Sequence, residues 1–168
     1  MGTIRSLDYL AAKTAQEIVT IAKENDNSPS IGISAKDLEN LVTKALGVLQ
    51  AQGVYAMFLF LYSKSGEKKP EQQAAAFLVA KLWNALKEKP AEQLGIYNKA
   101  GVNLQQGGSD LWEKALEKRD DLLRAVVEHL TAHLDTLLLV RDLYEQTLIY
   151  ARYHAKALSN TAQREKTP

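Results

Sequence analysis

Apolar residues recur along this chain at three- and four-residue steps, the spacing of one helix face. No stretch alternates convincingly with the period of a strand. Leu7, Leu10, Ala11, Thr14, Ile18 and Ile21 share one stripe and predict a first helix from about Ser6 to Glu24. Residues 25–33, N-D-N-S-P-S-I-G-I, have the composition of a loop. Ser34 is placed to start a second helix, with Asp37 three residues on as a reduced capping box. Leu38, Leu41, Val42, Ala45 and Leu49 form the apolar face of that helix.

Gly53 follows as a helix stop, because glycine alone enters left-handed backbone without a Cβ penalty. The next segment, V-Y-A-M-F-L-F-L-Y-S-K from Val54 to Lys64, has no polar face before its end. A helix apolar all round is expected to be buried on every side, and Lys64 at its exit must reach the surface. After a polar loop over 65–69, Pro70 suits the first turn of a fourth helix. Its stripe is Ala75, Leu78, Val79, Leu82 and Leu86, with Trp83 beside it.

Pro90 closes that helix, Ala91 to Tyr97 is expected to form one short turn, and 98–108 reads as the longest loop. Ser109 or Asp110 is a candidate cap for the next helix. From there to Leu158 neither Gly nor Pro occurs. That is long for one globular helix, so a break is expected near Thr131 to Asp135, leaving two antiparallel helices. The last stripe is Leu137, Val140, Tyr144, Leu148, Ala151, Ala155 and Leu158. The pattern predicts an all-α fold: a compact single-domain bundle of about six helices around a buried central helix. Residues 1–159 form the domain, and 160–168 form a polar tail expected to fray.

Composition narrows the class. The chain has 168 residues, 46% hydrophobic and 24% charged, which fits one globular domain with a sizeable core. It has no cysteine, so disulfides, thiolate metal sites and a cysteine nucleophile are excluded. The longest apolar run, Val54 to Tyr62, is far short of the roughly 20 residues a membrane span needs. The N-terminal residues lack the apolar region of a signal peptide, and a cytoplasmic location without membrane contact is the expectation. Lys and Arg number 21 against 20 Asp and Glu, a formal net charge of +1. Nucleic-acid binding would therefore need a local basic stripe or partner subunits.

Candidate chemistry is sparse. His129 and His133 stand four apart, a spacing able to hold a metal. Glu128 directly precedes His129, so no H-E-x-x-H motif forms, and no third ligand is identifiable. Gly107 and Gly108 lack the lysine and hydroxyl residue of a phosphate-binding loop. No nucleophile–base pairing carries a sequence signature. No cofactor and no catalytic role are expected. What remains is basic: Arg141, Arg152 and Lys156 fall within about 60° of one another on the last helix, beside its apolar stripe. Rows of Arg and Lys bind phosphate backbones. The competing reading is a solvated face, with Glu145 pairing with Arg141 one turn away. Lys64 likewise could serve only the dipole of its own helix.

The run A-L-G-V-L-Q-A-Q-G-V-Y-A-M-F-L-F-L-Y-S-K, Ala45 to Lys64, resembles the small helical subunit of type III-B CRISPR effector complexes, the Cmr small subunit. Gly53, Phe60 and Lys64 take that family's glycine, aromatic and lysine positions. Near the C-terminus Y-A-R-Y-H-A resembles the family's ending, with Tyr150, Arg152 and Ala155 matching. Leu46 stands where the family usually has proline. Tyr153 and His154 replace its second basic residue and following aromatic.

The resemblance implies a non-catalytic structural subunit that stacks on itself as a short filament. Its partners would be the backbone and large subunits of the complex, with guide RNA and target RNA in the adjoining groove. It implies RNA contacts at Lys64 and Arg152, and helical geometry adds Lys156 and Arg141. Two other classes compete: a stand-alone helical protein-interaction module without a nucleic-acid role, and a metal enzyme using His129 and His133.

Overall fold

The computed structural model describes residues 6–25, 31–104 and 110–166. Ser6 accepts a hydrogen bond from the Tyr9 amide at 3.0 Å and starts α1 (Leu7–Val19). The helix stops short of Glu24 because its end is claimed elsewhere. The Thr20 hydroxyl donates back to the Glu17 carbonyl at 2.6 Å, and the Lys23 amide donates to Ile33 O at 2.8 Å. Glu24, expected at the end of the first helix, instead accepts the Ala35 amide at 2.7 Å and helps open α2 (Ala35–Gln52). Ser34 caps the same helix by accepting the Asp37 amide at 3.0 Å.

Gly53 joins α2 to α3 (Val54–Lys64). Its φ of 98° lies in the region that favours glycine, while its amide still donates to Leu49 O. The expectation that α3 is buried on every side fails. Met57, Phe58 and Leu61 are fully enclosed, but Leu59 is 42% exposed. A single exposed leucine costs little on a surface that is largely apolar anyway. The longest enclosed stretch belongs to α4 (Pro70–Asn84) and the 3-10 turn after it, Ala85–Lys87. From Ala74 to Leu86 every residue except Lys81 is buried. Small side chains at Ala74, Ala75, Ala76 and Ala80 let neighbouring helices pack against several sides of this one.

The region after Pro90 has more structure than one turn. A 3-10 turn at Ala91–Leu94 and α5 (Ile96–Ala100) are joined at Gly95, so the expected loop begins only at Gly101. Residues 105–108 and the candidate cap Ser109 lie outside the described residues. Asp110 precedes α6 (Leu111–Glu117) without a side-chain capping bond. Lys118 separates α6 from α7 (Arg119–Val126). A π-helical turn, Val127–Thr131, then leads to Ala132 and His133, and α8 (Leu134–Lys166) begins. The break expected near Thr131 to Asp135 is thus present, and a second one at Lys118 carries no glycine or proline to announce it. Beyond Asn160, where the tail was expected to fray, α8 remains helical to Lys166.

Among the described residues the fold is all-α, with one isolated bridge between Ala22 and Ile33. No helix among them is long and apolar enough to cross a membrane. The long α8 packs along α1 and α2, while α4 meets α3 and α6. Tyr144 ties the two groups together. Its ring meets Phe58 of α3 edge-on, centroids 5.8 Å apart, and its hydroxyl donates to Leu82 O of α4 at 2.8 Å. At the same end of α4, Trp83 Nε1 donates to Val102 O at 2.9 Å and Tyr97 donates to Asn84, which pins residues 97–104 to the core.

Candidate nucleic-acid interface

Lys64 closes α3, where a cation complements the negative end of the helix dipole. Its side chain is exposed, and its ammonium lies 5.9 Å from the centre of the Phe60 ring one turn back. Phe60 is itself half-buried against the core. The ring therefore fixes the lysine stem while the charge meets water, a cation–π arrangement at an exposed site. Of the other aromatics in this block, Tyr55 is half-buried against the core. Phe58 and Tyr62 are buried, and the Tyr62 hydroxyl donates to Ala115 O at 3.0 Å. Burial pushes the Tyr62 phenol well above its ordinary range, only partly offset by the nearby Arg119 charge.

The last helix divides its cations between two tasks. Val140, Tyr144, Leu148, Ala151 and Ala155 are buried as the stripe requires, with Leu137 and Leu158 half-buried at its ends. Arg141 is half-buried and engaged: its Nη2 donates to the Gln50 carbonyl at 2.8 Å. The pairing with Glu145 weighed from sequence is replaced. Glu145 instead accepts the Gln50 side-chain amide at 3.1 Å. Arg152 and Lys156 are exposed one turn apart on α8. Among the described residues neither holds an ion pair or a hydrogen bond.

Two neighbours of these cations also face solvent. Tyr153 is 65% exposed and His154 is exposed beside it. Tyr150 behaves differently, because its hydroxyl donates to Asp8 of α1; that bond raises its pKa. Sequence reading did not single out Arg164, a further exposed cation on the same helix.

The histidine pair does not assemble a metal site. His129 lies within the π turn and His133 just after it, so regular helix spacing between them is lost. Both line a cavity of about 490 Å³ with Lys99 and Asp135. Among the described residues no group of three or more His, Asp or Glu side chains is placed to hold a metal ion.

A polar cleft of about 410 Å³ between α1 and α4 was not foreseen. Four of its charged groups pair across it, Lys81 with Glu17 at 3.4 Å and Lys13 with Glu88 at 3.6 Å, while Lys87 lies over the Tyr97 ring. Only tertiary packing brings those residues together.

Lys64 at the end of α3 and Arg152, Lys156 and Arg164 on α8 are thus exposed cations able to meet an anionic ligand, as are Lys23, Lys44, Lys68, Lys69, Lys89, Lys99 and Lys118 elsewhere on the surface. No family model, curated protein or solved structure matches this chain.

Proposed function

We propose that this chain is a non-catalytic structural subunit of a type III-B CRISPR RNA-guided antiviral effector complex, acting in the cytoplasm. In this reading it stacks on itself, lies against the backbone and large subunits, and lines the groove that holds guide and target RNA. Its shorter turns count with their neighbours, as a bundle of about six helices around a buried central one.

The observation that carries the reading is the state of Arg152 and Lys156. Both are exposed, adjacent on one helix, and without an internal partner among the described residues. Unpaired cations at one-turn spacing suit a phosphate backbone. Lys64, held by Phe60, supplies a further contact. Arg141, half-buried with one of its five N–H donors on the Gln50 carbonyl, stands at the edge of this set with its other donors available. Two or three phosphate contacts give weak, salt-sensitive binding alone, and assembly strengthens it through effective concentration.

The test is co-purification with candidate backbone subunits and guide RNA, followed by target capture. Lys64→Glu with Arg152→Glu should weaken capture while leaving thermal unfolding in place. Unchanged capture would remove the site assignment, and failure to co-purify would remove the subunit reading.

A second reading, a stand-alone protein-interaction module without RNA, is favoured by exposed leucines at the start of α8. Leu134 is 67% and Leu138 49% exposed. Retained partner binding together with no RNA binding at low salt would select it.

A further inference from the structure

The last part of α8 combines features that an ordinary solvated helix does not. From Gln146 to Arg164 the sequence contains no Asp or Glu, while Arg152, Lys156 and Arg164 fall within it. At about 100° per residue, Arg152, Lys156, Tyr153 and Arg164 occupy an arc about 120° wide, and they extend over about 18 Å of helix. All four side chains are exposed. Asp8, at the α1 side of this strip, is engaged with Tyr150 one turn before Tyr153. Tyr153 thus stands as an exposed ring among cations, and its hydroxyl has no partner among the described residues.

We infer that this strip binds a single-stranded segment of RNA, with one unpaired base stacked on Tyr153 and neighbouring phosphates on Arg152, Lys156 and Arg164. The inference rests on the RNA-binding reading and deepens it by assigning the state of the strand. An exposed aromatic flanked by basic residues is the arrangement that holds unpaired bases, since every base offers a π-face. A double helix keeps those faces stacked internally and is recognised through phosphates and 2′-hydroxyls instead. Cations alone would serve a duplex, and the ring adds contact area only for an open strand. Alongside the strip the apolar residues of α8, Leu148, Ala151 and Ala155, are buried in the bundle, and the exposed Leu134 and Leu138 lie about 20 Å or more back along the helix, so the strip itself has no apolar side to insert into a lipid surface.

The experiment measures binding of the full chain to labelled oligouridylate, to an RNA duplex of equal length, to polyphosphate and to polyglutamate at low salt. Oligouridylate should bind tightest. Tyr153→Ala should weaken it by about 5- to 150-fold, the range of one lost stacking contact. Tyr153→Phe should keep the affinity, and duplex binding should not respond to either change. An unchanged oligouridylate affinity in Tyr153→Ala overturns the inference, as does polyphosphate or polyglutamate binding as tightly as RNA. Loss of both RNA forms in Arg152→Glu with Lys156→Glu, alongside a silent Tyr153→Ala, overturns the stacking and leaves the RNA reading standing. No RNA binding by the unaltered chain removes both.

Discussion

Arg141 of α8 donates to the backbone carbonyl of Gln50 at 2.8 Å, and the side chain of the same Gln50 donates to Glu145 at 3.1 Å. Two opposite charges one helical turn apart thus grip a third residue. Gln50 sits in the last turn of α2, where carbonyls lack intrahelical donors. A cation there also meets the negative end of the helix dipole. Arg141→Ala should cost about 1 kcal/mol of stability, the scale of one partly exposed charge-assisted bond. Denaturant unfolding measures the loss, and RNA capture should be unaffected once the protein is folded. A fall in capture at unchanged stability would place Arg141 on the binding surface.

Gly53 and Gly47 make a controlled pair. A Cβ at either position would meet nothing within 4 Å, so any difference between them comes from the backbone. Gly53 has φ 98° and ψ −174°, a region used almost only by glycine, and Gly53→Ala should cost about 1–3 kcal/mol. Gly47 lies within α2 on its exposed side, and Gly47→Ala should stabilise by about 0.5–1 kcal/mol. Equal effects in equilibrium unfolding would refute the strained junction.

Buried phenols are expected to set the alkaline limit of the fold. Burial raises the Tyr144 pKa well above 10.0, and Tyr62 and Tyr97 are raised mainly for the same reason. The folded protein holds these protons more tightly than the unfolded chain does. Their contribution is therefore complete below pH 10 and is lost as pH rises beyond it. The melting temperature should fall steeply only above about pH 10. Tyr144→Phe should flatten that alkaline arm and cost about 1 kcal/mol at neutral pH through the lost bond to Leu82. An unchanged arm would show that the phenol ionises without unfolding.

Local chemistry decided which parts of the fold were legible in the sequence. Ser34, Gly53 and Pro70 act through their own backbone and mark helix limits where the structure has them. The stripe from Val140 to Ala155 was readable because one face of α8 packs against α1 and α2. The enclosure of α4 was harder to read, because alanine is neutral in an apolar pattern and gains importance only when helices close around it. The break at Lys118 and the π turn carry no glycine or proline. In the candidate site, exposure of Arg152 and Lys156 followed from periodicity, and that of Lys64 from its place at the end of α3. The capture of Arg141 by Gln50 required knowing where α2 ends against α8. The contrast between Tyr150 and Tyr153 depended on the placement of Asp8.

The exposed leucines at the start of α8 separate folding from assembly. Leu134 and Leu138 are four residues apart and both open to solvent, whereas Leu148, farther along the same helix, is fully buried. Leu134→Lys with Leu138→Glu should leave stability within about 0.5 kcal/mol of the unaltered chain, as surface changes do. Leu148→Ala should cost about 2–5 kcal/mol through a core cavity. In the stacking reading, exposed apolar side chains supply contact area between copies, since burying them there is favourable and leaving them in water is not. Sedimentation across a concentration series should then show association of the unaltered chain and none of the double variant. Identical sedimentation of the two would place the stacking contact on another face.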